Sequence, residues 1–217
     1  MNINEIFTSL SGELDGFSNQ GGLATFIRLQ GCNLKCTWCD TEYAILGVGG
    51  TQMSVEEVAK QCTSKHVIIT GGEPLLQSEE VTQLVELLCP YGRREHLVTI
   101  ETNGSIPLNL EEVRTRYETL LFVVDYKLDS SGATGNMLQE VFDGLSNLDV
   151  IKFVIRDLQD YRQAVKTLYL NPGWVAKKVF SPVLHGKWAS RLAVEMIKDK
   201  LEGVTLALQW HKLLGLK

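Results

Sequence analysis

No stretch of this chain approaches the roughly 20 apolar residues needed to cross a bilayer. Its first residues, MNINEIFTSLSGE, hold neither the charged start nor the apolar run of a secretory signal. Positive charge is in deficit: 21 Lys and Arg stand against 26 Asp and Glu, a formal net charge of −5. That disfavours nonspecific binding to nucleic acid, which needs a basic face. There is no internal repeat, low-complexity tract or linker, and composition excludes disordered and fibrous classes. What remains is a single domain over residues 1–217, 44% hydrophobic and long enough to bury a sizeable core. The expected setting is the cytoplasm, with neither a membrane nor a nucleic acid as partner.

Short apolar runs alternate with amphipathic ones. Strands are predicted at 24–29, 66–70, 97–101, 121–127, 150–155, 174–182 and 204–209. Several are nearly continuous apolar runs, as suits parallel strands covered on both faces. Helices are predicted at 54–62, where Ser54 and Glu57 form a capping-box signature, and at 78–89, 157–170 and 187–200. Strand–helix alternation with too few units for a complete eight-fold barrel predicts an α/β fold, a partial, open TIM-like barrel of about six parallel strands. In such sheets chemistry sits at the carboxyl ends of the strands.

Cysteine is scarce, five in all, yet three stand close together in GCNLKCTWCD: Cys32, Cys36 and Cys39, just after the first parallel strand. In a reducing compartment such clustering points to metal or redox work. A structural zinc site wants four ligands, and no second cysteine pair exists. A catalytic nucleophile needs one cysteine and a histidine partner. An iron–sulfur cluster on three thiolates, with one iron open to an outside ligand, remains. Cys62 and Cys89 fall on amphipathic helices and read as small hydrophobes.

Other strand ends carry polar groups. ITGGEPLLQ places Gly71 and Gly72 where backbone can approach a ligand, and Glu73 can accept a hydrogen bond from an ammonium. IETNGS supplies Glu101, Thr102 and Asn103. DYKLDSSG supplies Lys127, and FSPVLHG supplies Ser181, Pro182 and His185. Lys152 interrupts the apolar run VIKFVI and needs a partner or water. Arg28, in the strand before the cysteines, suits a bound carboxylate.

CNLKCTWCD resembles the cluster loop of the radical S-adenosylmethionine superfamily, and TGGEP its motif for the methionine amino group. Together with IFTSLSGEL, FIRLQGC, WCDT, IETNG and the terminal LALQWHKLLGLK, the chain resembles the 7-carboxy-7-deazaguanine synthase family over nearly its whole length. The resemblance implies a 4Fe-4S cluster on Cys32, Cys36 and Cys39, S-adenosyl-L-methionine, and Mg2+ at Thr41. It implies radical ring contraction of 6-carboxy-5,6,7,8-tetrahydropterin with loss of ammonia, in queuosine and 7-deazapurine biosynthesis. S-adenosylmethionine contacts are implied for Gly72, Glu73, Glu101, Asn103, Asp125, Tyr126, Lys127, Ser181, Pro182, Val183 and Leu184. Pterin contacts are implied for Leu10, Ser11, Gly12, Glu13, Arg28, Thr70 and the terminal Lys217. A homodimer and an electron donor such as flavodoxin follow from the same resemblance. Ser11 stands where the family has glutamine, Leu14 where it has glycine, and DYKLDSSG replaces its usual S-P-K. The alternatives are a glycyl-radical activase or a noncatalytic iron–sulfur or zinc protein.

Overall fold

The computed structural model describes the chain except residues 13–19, 47, 91–94, 111–112, 114–115, 118, 184–185 and 217, and describes only the backbone of 186–187 and 211–212. Nine strands form one open sheet: β1 (Asn2–Leu10), β2 (Leu23–Leu29), β3 (Thr51–Gln52), β4 (His66–Gly71), β5 (Leu97–Thr102), β6 (Leu120–Tyr126), β7 (Val150–Ile155), β8 (Lys177–Pro182) and β9 (Val204–Leu206). Their order is β3-β1-β2-β4-β5-β6-β7-β8-β9. β2 and β4 through β9 run parallel, while β1 and β3 add an antiparallel edge. The parallel set thus has seven strands against about six predicted, and β1 and β3 are added to it. The short β9 ends three residues before the predicted run does.

Outside the sheet lie α1 (Val55–Ala59), α2 (Ser78–Leu88), α3 (Gln139–Asp143), α4 (Leu158–Leu170), α5 (Gly186–Lys198) and α6 (Trp210–Leu214). Both arms of the Ser54–Glu57 capping box form, and Asp157 caps α4 through the amides of Gln159 and Asp160. The buried stripe of α2, Val81, Leu84, Val85 and Leu88, packs in one core with Ile69, Val98, Ile100, Phe122 and Val124 of the strands. Trp174, predicted to open a strand, instead lies in that core against Phe142, its indole donating to Asp143, and β8 begins three residues later.

Strand side chains alternate between faces. Odd positions of β6 and β8 and even positions of β7 turn away from the helices. There Val123, Val150 and Val179 form a second cluster with Ala207. One step further along each of β6 and β7, the same face carries Asp125 and Lys152, which line a cavity. The inner face is thus apolar at the amino end of these strands and charged at the carboxyl end. No helix of the described residues is long and apolar enough to cross a membrane.

Candidate active site

The cavity measures about 690 Å³, within the range of small-molecule sites. Its wall holds Phe26 and Arg28 of β2, Thr70 of β4, Glu101 of β5, Asp125 of β6 and Lys152 of β7, with Cys32, Cys36 and Cys39 above them. The cysteines follow directly on β2, so the loop is delivered to the carboxyl ends of the parallel strands. Backbone bonds pin it. Gly31 and Cys32 donate to Ala44 and Ile45, and Thr37 donates to Ser131. The Trp38 indole donates to Ser130 Oγ at 2.9 Å, and Ser130 donates in turn to the buried carboxylate of Asp160. The stretch DSSG thereby anchors the cysteine loop.

Burial raises the Cys32 and Cys36 thiols, while the Lys127 ammonium acts the other way on both. Cys39 Sγ lies 3.6 Å from Thr41 Oγ1. Cys62 and Cys89 sit buried in the helical core, and burial pushes Cys62 up to about 11. Buried apolar thiols of this kind are inert.

The glycine pair has an internal reason to exist. A Cβ on Gly71, whose φ is +141°, would lie 2.4 Å from the backbone of Leu29. A Cβ on Gly72 would lie 1.9 Å from the carbonyl oxygen of Gly31. The loop after β4 runs backbone against backbone beside the cysteine loop, and Glu73 N donates to Gly31 O at 2.8 Å.

Asp125 is shared by two cations, Lys127 Nζ at 2.9 Å and Lys152 Nζ at 3.3 Å. Burial raises its carboxyl, but the lysines outweigh burial and hold it below 3.8. A carboxyl lowered in the fold stabilises above its ordinary value and loses that contribution as pH falls through the folded one. Acid unfolding below pH 3.8 should therefore be shallower in Asp125→Asn than in the parent, as thermal melts against pH would read. At the far wall Arg28 Nε donates to Glu5 at 2.9 Å, and Gln209 Oε1 is buried with no hydrogen-bond partner among the described residues. Gln20 ties the segment after β1 to the segment around the start of α6. It donates to the carbonyls of Gly12 and Leu208 and accepts from the Trp210 indole.

The radical SAM superfamily model matches residues 26–170, which run from β2 into α4. A 7-carboxy-7-deazaguanine synthase of Methanospirillum hungatei is 36% identical, over 100% of this chain and 86% of that protein. Another, of Clostridium acetobutylicum, is 38% identical over 97% of this chain and 94% of its own length. This chain belongs to the 7-carboxy-7-deazaguanine synthase family. The crystal structure of QueE from Escherichia coli superposes with a TM-score of 0.69 at 25% identity, covering 96% of this chain and 93% of that one. Streptococcus suis SuiB bound to S-adenosylmethionine shares the fold at 13% identity and a TM-score of 0.56, over 82% of this chain and 48% of its own.

Membership in the radical SAM superfamily implies a 4Fe-4S cluster and S-adenosylmethionine. The donor set fits: three thiols of one loop face one cavity beside a lysine that favours thiolate. Among the described residues no three His, Cys, Asp or Glu side chains are grouped closely enough to hold a single metal ion. A cubane, whose thiolates bind different irons, does not require that closeness.

Of the residues implied for the synthase family, the structure puts Leu10, Gly12, Arg28, Thr41, Thr70, Gly72, Glu101, Asn103, Asp125, Lys127 and Val183 on the cavity wall with the three cysteines. Glu13, Leu184 and Lys217 lie outside the described residues, as do His185 and the side chain of His211. Five others are placed elsewhere. Tyr126 points outward into the core, 5.0 Å from Phe142 and 5.3 Å from Phe153 between ring centres, because strand parity sends it opposite to Asp125 and Lys127. Ser11, Ser181 and Pro182 are buried off the wall, Ser11 bonded through its backbone to Gly21 and Gly22.

Glu73 is the fifth. It is 0% exposed, and its carboxylate accepts from Leu75 N, Thr102 Oγ1 and Asn103 N at 2.7–3.0 Å. It acts as a strut joining the loops after β4 and β5, not as a group open to an ammonium. Glu73→Ala strands three buried donors and is expected to cost about 3 kcal/mol. Denaturant melts check this.

Among the residues missed from sequence are Phe7, Phe26, Tyr43 and Gln209 on the wall and Glu5 and Gln20 behind it. Glu5 and Phe7 belong to β1, whose apolar and polar residues do not alternate regularly and which is not among the predicted strands.

Proposed function

We propose that this chain converts 6-carboxy-5,6,7,8-tetrahydropterin to 7-carboxy-7-deazaguanine with release of ammonia. The observation that carries this reading is one cavity that gathers three cysteines of one loop, paired lysines and an arginine, in a chain of this family. Substrate and product differ in composition by one ammonia, so turnover needs no net oxidant. When bound, the cluster supplies the electron that cleaves S-adenosylmethionine and so starts hydrogen abstraction from carbon 6, with S-adenosylmethionine restored at the end.

The chain's own residues hold and orient. Cys32, Cys36 and Cys39 would hold the cluster. Lys127 and Asp125, fixed by their ion pair, would contact S-adenosylmethionine, as would Gly72. Arg28 takes the pterin carboxylate, and its preformed contacts reduce the rotamer freedom lost on binding. Gln209 Oε1, a buried acceptor on the wall, suits the amino edge of the pterin. Phe7 and Phe26, stacked with ring centres 5.1 Å apart, keep water from that side. By the same resemblance the Thr41 hydroxyl would be a protein ligand for magnesium, an ion that takes oxygen ligands. A homodimer and a flavodoxin-like electron donor belong to the same reading and rest on the resemblance alone.

The test is an anaerobic reaction of reconstituted protein with dithionite, S-adenosylmethionine, magnesium and the carboxypterin, omitting each in turn. Ammonia and 7-carboxy-7-deazaguanine should appear in equal amounts only in the complete mixture. Cleavage of S-adenosylmethionine without deazaguanine points to another substrate, such as the backbone acted on by a glycyl-radical activase. Neither product from cluster-loaded protein would sink the catalytic reading.

A further inference from the structure

The first strand carries an irregularity with a consequence for the arginine. Ile3 pairs with Leu29, but Glu5 pairs with Arg28, so two steps along β1 match one along β2. Such a bulge moves the following side chains to the opposite face. Ile3 is buried in the core against the helices, and Glu5 would share that face if pairing were regular. The bulge turns Glu5 and Phe7 inward instead, opposite Arg28 and Phe26.

Three groups then converge on one guanidinium. Glu5 Oε1 accepts from Arg28 Nε at 2.9 Å, with both side chains only 15% exposed. The guanidinium carbon stands 5.8 Å from the Phe7 ring centre and 5.9 Å from that of Tyr43. Tyr43 Oη donates to the same Glu5 oxygen at 3.2 Å. Because Glu5 takes Nε, the Nη1–Nη2 end is left with no hydrogen-bond partner among the described residues. That end is the fork that matches a carboxylate.

We propose that Glu5 and Tyr43 are positioning residues that hold Arg28 in the orientation for a ligand carboxylate. The inference rests on the reading of Arg28 as the pterin's carboxylate partner. An arginine without them would have to be ordered at the moment of binding. What matters is the oxygen that accepts from Nε, so glutamine can replace glutamate in this role.

The test is calorimetric binding of two stable probes, 6-carboxypterin and unsubstituted pterin, to the cluster-loaded protein with S-adenosylmethionine. Glu5→Ala should weaken 6-carboxypterin about tenfold and leave pterin unchanged. Glu5→Gln should restore most of the loss, and Glu5→Ala should add nothing in an Arg28→Ala background. Tyr43→Phe, which keeps the ring and removes one donor to Glu5, should give a smaller loss on the same probe. It carries the test if Glu5→Ala fails to fold. Equal weakening of both probes, or none of either, overturns the inference while the proposed reaction stands. If 6-carboxypterin does not bind the parent protein, the reading of Arg28 falls and the inference with it.

Discussion

Cys36→Ala is expected to give a colourless protein that no longer cleaves S-adenosylmethionine, and Cys32→Ala and Cys39→Ala should match it. On the proposed reading each thiol is one of three protein ligands, and a site with three has no spare. The loop carrying them is held at both ends by backbone bonds to Ala44, Ile45 and Ser131, so its fold does not depend on any one thiol. The variants should therefore melt near the parent's apo protein while losing iron, sulfide and activity together. Cys62→Ala supplies the control. Its thiol sits in the core and touches nothing in the cavity, so it should cost about 1 kcal/mol of stability and keep the cluster. Iron content, visible absorption and 5′-deoxyadenosine yield are the measurements. A brown, active Cys36→Ala would remove the thiol from the cluster.

The second large effect comes from a single methyl group. Gly72→Ala puts a Cβ 1.9 Å from the Gly31 carbonyl oxygen and 2.9 Å from Cys32 N. Both neighbours are backbone, so no rotamer change relieves the clash. Either the loop after β4 or the cysteine loop must move, and Glu73 N→Gly31 O goes with it. The expected cost is about 3 kcal/mol or more, which for a domain of this size lowers the melting temperature by about 10 °C. Cluster loading should fall as well, because the displaced segment leads directly into Cys32. A variant that melted with the parent and loaded its cluster normally would show that the two loops are not packed as described.

The central parallel strands, β4 to β7, were legible in the sequence because they are largely buried on both faces and read as apolar runs. The edge was not. β1 faces the core with one set of residues and the cavity with another, and its bulge breaks even the alternation that would mark it. Losing β1 meant losing Glu5 and Phe7. The cavity wall was legible where a motif carried it, as with Cys32, Cys36, Cys39, Asn103 and Lys127. It was misread where neighbours in sequence were taken as neighbours in space. Asp125, Tyr126 and Lys127 were read as one block, but a strand sends 125 and 127 one way and 126 the other. Glu73 was misread for a different reason. Sequence shows an acid after two glycines, and only the fold shows that the amides of Leu75 and Asn103 and the hydroxyl of Thr102 have already taken it. Lys152, flagged as a cation in need of a partner, meets Asp125 across the β6–β7 pairing.

The central claim is that one cavity brings the pterin's carbon 6 to S-adenosylmethionine. It is tested most directly with 6-carboxy-5,6,7,8-tetrahydropterin deuterated at that carbon, turned over anaerobically by the reconstituted protein, with mass spectra taken of S-adenosylmethionine and of the product. The account predicts deuterium in the recovered S-adenosylmethionine. Product that forms while S-adenosylmethionine stays unlabelled would contradict it.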